Sequence, residues 1–151
     1  MAQTANFTWA QGEDLPIALI YKEGLVDEET VVDLSSGYAL RMDIVVPVTK
    51  ERIYTFNTAT IADVDPIMVG DQPDAVLEGV LSSGASGTPN ITISVPRTLT
   101  LPGGSVYAKM VGSSAITVFA YDIFLRNTAS NKQAKILTGA VTVEESNTLW
   151  L

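Results

Sequence analysis

Residues 116–145, ITVFAYDIFLRNTASNKQAKILTGAVTVEE, decide the fold. They read as two long strands around a polar hairpin. In the first strand, Phe119, Tyr121, Ile123 and Leu125 make one apolar face. Ile116, Val118, Ala120 and Phe124 make the other, interrupted by Asp122. Successive side chains of a strand point to opposite sides of its sheet, and an antiparallel strand with one wet face alternates apolar with polar. A strand that is apolar on both sides needs a second cover, either a loop of the same chain or a neighbouring subunit. Apolar surface kept for a partner is the favoured reading.

Outward from this stretch the same alternation recurs. Residues 38–46, YALRMDIVV, place Tyr38, Leu40, Met42, Ile44 and Val46 on one side and Arg41 and Asp43 on the other, a strand with one buried face. Leu15, Ile17, Leu19 and Tyr21 form a similar stripe ahead of a turn at Glu23-Gly24, with Pro16 marking a sheet edge because proline cannot donate to a central ladder. Ile91, Ile93 and Val95 alternate with Thr92 and Ser94 and stop at Pro96. Residues 53–56, residues 106–111 after the Pro102-Gly103-Gly104 turn, and a first strand carrying Phe7 and Trp9 complete a set of about eight strands. Close spacing without intervening helices predicts an all-β antiparallel sandwich. Residues 74–81, DAVLEGVL, fit a short helix and a strand equally well. Residues 82–90, SSGASGTPN, read as a long hairpin loop. One domain is expected over residues 1–151, with an apolar tail at 146–151 ending in Leu149, Trp150 and Leu151.

Composition narrows the function. Charged residues are 17% of the 151-residue chain and hydrophobic ones 46%, with net charge −8; the low charge content points to a large core or to apolar surface held for assembly. Nine scattered Lys and Arg residues argue against a nucleic-acid partner, which needs clustered cations to displace counterions from phosphate, and against an anionic membrane. No stretch has the roughly 20 apolar residues of a membrane span. No leader is visible in the opening residues, so synthesis in the cytoplasm is expected.

The chain has no Cys and no His. That removes thiolate and imidazole nucleophiles, bases and metal ligands together. Asp63, Asp65, Asp71 and Asp74 cluster without a calcium-loop pattern and read as a solvated acidic loop. Ser82-Ser83 and Ser113-Ser114 have no activating imidazole, and no elbow motif surrounds them to make a Ser-Lys pair with Lys109. Trp9, Tyr54, Tyr107 and Trp150 are candidates for stacking on sugars, with core or interface packing the favoured alternative. Glu144 and Glu145 read as edge charges that discourage strand addition. No catalytic residue, metal or cofactor is expected. The interface candidates are Phe7, Trp9, Val118, Ala120, Phe124, Leu149, Trp150 and Leu151.

Four stretches carry a resemblance: residues 7–14 (FTWAQGED), Val32-Asp33-Leu34 with Gly37-Tyr38 and Leu40-Arg41-Met42, residues 121–125 (YDIFL) and residues 137–143 (LTGAVTV). In this order they resemble the small immunoglobulin-like modules of tailed-phage virions, typified by the N-terminal domain of upper baseplate proteins. Residues 63–86 are longer than that pattern, and the closing strand leads into Leu149-Trp150-Leu151 instead of a fibre domain. The resemblance implies an immunoglobulin-like sandwich and a non-enzymatic part of the virion, made in the host bacterial cytoplasm. Other virion structural proteins and copies of itself would be its partners. The expected place is the tail tip, baseplate or fibre-attachment region. The alternatives are a capsid decoration protein, expected as a trimer, and a carbohydrate-binding module.

Overall fold

A computed structural model describes residues 3–57, 79–112 and 115–149. The strands are β1 (Gln3–Thr4), β2 (Phe7–Ala10), β3 (Leu15–Leu19), β4 (Lys22–Glu23), β5 (Thr30–Val31), β6 (Tyr38–Val45), β7 (Arg52–Asn57), β8 (Gly79–Leu81), β9 (Ile91–Val95), β10 (Val118–Asn127) and β11 (Gln133–Glu144), and the alternating stretches around 15–19, 38–45 and 91–95 are among them. A six-stranded sheet runs β1-β11-β10-β6-β7, with β2 also on β11, and a three-stranded sheet runs β3-β9-β8. The hairpin β4-β5 stands as a small third sheet.

The expected mostly-β architecture is present, but the all-antiparallel reading needs correction. β1 and β2 both lie parallel to β11, at Gln3↔Leu137 and Phe7↔Val141, so the large sheet is mixed. The N-terminal strand thus occupies the flank of β11 that a final edge strand would have left open. Glu144 is therefore no edge charge. It pairs with Ala10, and its carbonyl accepts from Gln11 N–H at 2.8 Å.

The inner faces of the two larger sheets meet in one core. Leu40, Met42, Ile44, Phe119, Tyr121, Ile123 and Val141 come from the six-stranded sheet, and Leu15, Ile17, Ile91, Ile93 and Val95 from the three-stranded one. Burying each such side chain stabilises by about 1.5–3 kcal/mol before chain entropy is counted. Pro16 lies on β3, which pairs only with β9 among the described residues, as the edge reading required.

A second correction concerns residues 106–111, read as a strand. Ser105–Met110 is a helix, α1, with Gly104 as its N-cap. Val106 and Met110, four apart, are its buried residues, a helical spacing that also satisfies an alternating pattern over so short a stretch. The end of residues 74–81 is strand: Leu81 of β8 pairs with Ile91 of β9, and residues 82–90 join them as the expected hairpin loop. Residues 74–78 lie outside the described residues.

Candidate interaction surfaces

The two faces of β10 have different chemistry. Phe119, Tyr121, Ile123 and Leu125 point inward and are buried. Tyr121 sits at a crossing. Its hydroxyl donates to the Ala5 carbonyl at 2.7 Å, where the chain passes from β1 to β2. Opposite Tyr121 in the ladder is Gly139, and a Cβ there would collide with that same carbonyl oxygen and come within 3.0 Å of Asn6 Oδ1. Ala5 N–H bonds Thr138 O at 3.0 Å and Ala140 N–H bonds Asn6 Oδ1 at 3.0 Å. The glycine in LTGAVTV thus makes room for the N-terminal strand to cross. Burial, aided by the neighbouring Asp122 charge, pushes the Tyr121 phenol up to about 12.

The outer face of the same strand is built in rows. Ala120 lies between Ala140 and Val45, and Val118, 46% exposed, continues this small apolar patch beside Thr142. The next row sets Asp122 between Thr138 and Asp43. Like charges directly opposite destabilise a ladder, yet each carboxylate here has its own partner. Asp122 accepts from Thr138 Oγ1 at 2.6 Å and lies 3.5 Å from Lys135 Nζ, while Arg41 Nε is 3.3 Å from Asp43. In the third row Phe124 lies between Lys135 and Arg41, with the Lys135 ammonium 5.6 Å from the ring centroid. Asp122 is therefore a member of an ordered charge row. Val118 is the exposed apolar member of this face, while Ala120, Val45, Ala140 and Phe124 are each half-buried, Phe124 with the Lys135 ammonium over its ring.

The other interface candidates separate. Trp9 is 1% exposed and its indole donates to Glu13 O at 2.6 Å, so it belongs to the core and offers no surface; large aromatics are placed inside for their area. Phe7 is half-buried with its ring 5.5 Å from that of Tyr121. Leu149 is half-buried, and its Cδ2 lies 3.3 Å from where a Gly12 Cβ would stand, beside Leu101. This part of the apolar tail packs on its own chain. Gln11 secures it: Nε2 donates to Thr100 O at 3.0 Å, Oε1 accepts from Ser146 N–H at 3.1 Å, and its carbonyl accepts from Ser146 Oγ at 2.8 Å. Trp150 and Leu151 lie outside the described residues.

One surface escaped the strand pattern altogether. The β4-β5 hairpin carries Leu25 at 74% and Val26 at 85% exposure on its tip. A turn holds them there: Glu28 N–H bonds Leu25 O at 2.9 Å, and Asp27 has φ 70°. Gly24 sits at φ 129° with Glu28 O within 3.0 Å of any Cβ, so only glycine fits. Asn90, fully buried, clamps the hairpin base by accepting from Tyr21 N–H at 2.7 Å and donating to Tyr21 O and Val32 O at 2.9 and 2.8 Å. The paired Leu25-Val26 beside a glycine was the available sequence signal, but two residues show no period.

Of the sugar-stacking candidates, Trp9 and Tyr54 are buried, which leaves Tyr107 half-exposed. Lys109 is engaged with Glu51 at 2.7 Å, and Ser82 Oγ donates to Pro89 O at 3.0 Å. The acidic residues Asp63, Asp65, Asp71 and Asp74, with Ser113 and Ser114, lie outside the described residues. Among the described residues no cluster of three or more carboxylates could hold a metal ion, and no helix is long and apolar enough to cross a membrane. No family model matches the chain, and neither does any curated protein sequence.

Proposed function

We propose that this protein is a non-enzymatic structural subunit of a tailed-phage virion, placed in the tail tip, baseplate or fibre-attachment region and working through contacts with other virion proteins and copies of itself. The carrying observation is the outer face of the six-stranded sheet. Val118, exposed, and the half-buried Ala120, Val45 and Ala140 make a patch of small apolar side chains beside the ordered row of Asp122, Asp43, Arg41 and Lys135. Small side chains let a second protein approach closely, and burial of apolar area drives the association. A fixed charge row sets partner choice and register more than affinity.

The sandwich type is read as immunoglobulin-like on the strand orders. β3-β9-β8 corresponds to B-E-D, and β11-β10-β6-β7 to G-F-C-C′. This agrees with the resemblance of the motifs around Tyr121 and Gly139. The test is to count copies by quantitative mass spectrometry in purified phage particles that encode the protein. A few to a few dozen copies per particle are expected. Hundreds would move the protein to the capsid as a decoration subunit, and absence from particles would overturn the reading. Ala120→Arg should lower incorporation at least tenfold while leaving the thermal midpoint of the isolated chain near that of the parent.

A further inference from the structure

The base of the β4-β5 hairpin lines a groove of about 720 Å³ between two sheet edges. Leu19 and Ile20 line one wall, Ala134 and Ile136 the other. Among the described residues, no strand pairs with residues 133–136 of β11 on the side away from β10, and none pairs with β3 on the side away from β9. Ile20 is 47% exposed at this opening. Lys22 and Lys135 stand on the lining, with Glu29 as its acid.

The tip has the opposite character. Leu25 and Val26 project from it, and Glu23, Asp27 and Glu28 surround them. Clefts of about 300–1,000 Å³ enclose drug-sized molecules, so the groove has room for a two-residue apolar tip. Its own tip does not fill it, because the Leu25–Glu28 turn and Gly24 hold both side chains in solvent.

We infer that the occupant is the hairpin tip of a second copy, and that two copies exchange tips about a two-fold axis. The hairpin carries both features: Lys22 of β4 and Glu29, just before β5, line the groove beside which the tip rises. A projection next to a matching recess is self-complementary under a two-fold rotation, the requirement of an isologous interface. The charges agree with this geometry. At net charge −8 two copies repel, and an acidic tip over Lys22 and Lys135, offset in part by Glu29, reduces that repulsion. The rigid turn and the Asn90 clamp reduce the ordering cost of docking.

This inference deepens the assembly reading, and it rests on that reading for self-association but not for location in a particle. The chain has no cysteine, so introduced thiols report specifically. In size-exclusion chromatography with light scattering, the parent chain should run at twice its 16.1 kDa. Leu25→Ser with Val26→Ser should reduce the dimer at least tenfold. Lys22→Glu should reduce it less, and added salt should weaken the parent dimer. Oxidising a mixture of Leu25→Cys and Ala134→Cys chains should yield a covalent pair, whereas Val48→Cys, 92% exposed on another turn, should not pair with Ala134→Cys. A parent chain that stays monomeric at high micromolar concentration overturns the inference. A dimer that survives the double serine change also overturns it, while leaving assembly through the sheet face intact. Incorporation into particles is read separately by copy number.

Discussion

The crossing at Tyr121 and Gly139 and the tip at Leu25 and Val26 treat polarity in opposite ways. At the crossing, a phenol and a backbone carbonyl are taken inside, and they are bonded to each other at 2.7 Å. At the tip, two aliphatic side chains are left outside, on a turn that a Cβ at position 24 would break. A buried polar group must find a partner within the chain or cost stability, so the crossing explains itself as architecture. An exposed apolar pair has no such internal account. Its role is therefore read from its place beside the groove, since Val48 is more exposed still on another turn. The crossing thus accounts for how the chain stands, and under the dimer inferred above the tip is the part that meets a second copy.

The crossing should break hardest. Gly139→Val places a branched side chain where the Ala5 carbonyl now lies. We expect a loss of at least about 3 kcal/mol in denaturant unfolding, or displacement of β1 from β11 seen as fast amide exchange at residues 3–5. Parent-like stability would show that the N-terminal strand does not cross there. Next comes the base of the hairpin. Asn90→Asp keeps the shape but loses both donors, leaving Tyr21 O and Val32 O facing a carboxylate in a buried site. A cost of about 2–5 kcal/mol is expected from unpaired buried groups, again by denaturant unfolding.

How much of this was legible in the sequence follows from what strand periodicity can report. Residues 38–46 alternate over enough positions for the pattern to fix face and burial, residues 116–126 are long enough to fix a strand but apolar on both faces, and Pro16 and Pro96 mark an edge and an end. Residues 105–110 are too short for the period to be unique, because Val106 and Met110 satisfy helix and strand alike. The parallel placement of β1 and β2 is a long-range property, carried in sequence only by a glycine whose neighbour across the sheet is invisible there. The outer face of β10 was legible as apolar. The pairing of Asp122 with Lys135 and Thr138 was not, since it depends on a register shifted by a bulge at Ile123/Phe124. Trp9 and Leu149 looked like surface for a related reason: composition gives the apolar area of an aromatic strand or tail, not what it packs against.

A smaller effect is expected from the phenol itself. Tyr121→Phe leaves the Ala5 carbonyl without its donor, for a loss of about 1–2 kcal/mol. Alkali offers an independent reading. In the folded chain Tyr121 is pushed up to about 12 by burial, and Tyr21 also to about 12 by burial and its bond to Glu23. The unfolded chain loses these protons near 10.0, the ordinary tyrosine value. Above that pH the unfolded state binds fewer protons than the folded one, so stability falls as pH rises from about 10 to about 12. Urea midpoints at pH 8 and pH 11 should show the fall, and the Phe variant should lose part of that slope.

The smallest effect is expected at the tip, and its smallness is what the comparison requires. Leu25 and Val26 are exposed at 74% and 85%, so replacing both with serine removes almost no burial within one chain. Surface changes of this kind lie within about 0.5 kcal/mol of zero. Measured at protein concentrations where the chain is monomeric, the unfolding midpoint of the double variant should match the parent. At concentrations that favour association, the parent should become the more stable of the two, because a folded chain that binds its own copy gains stability by mass action. A stability loss independent of concentration would return the tip to architecture. A gap that opens only as concentration rises would place it with what the molecule meets.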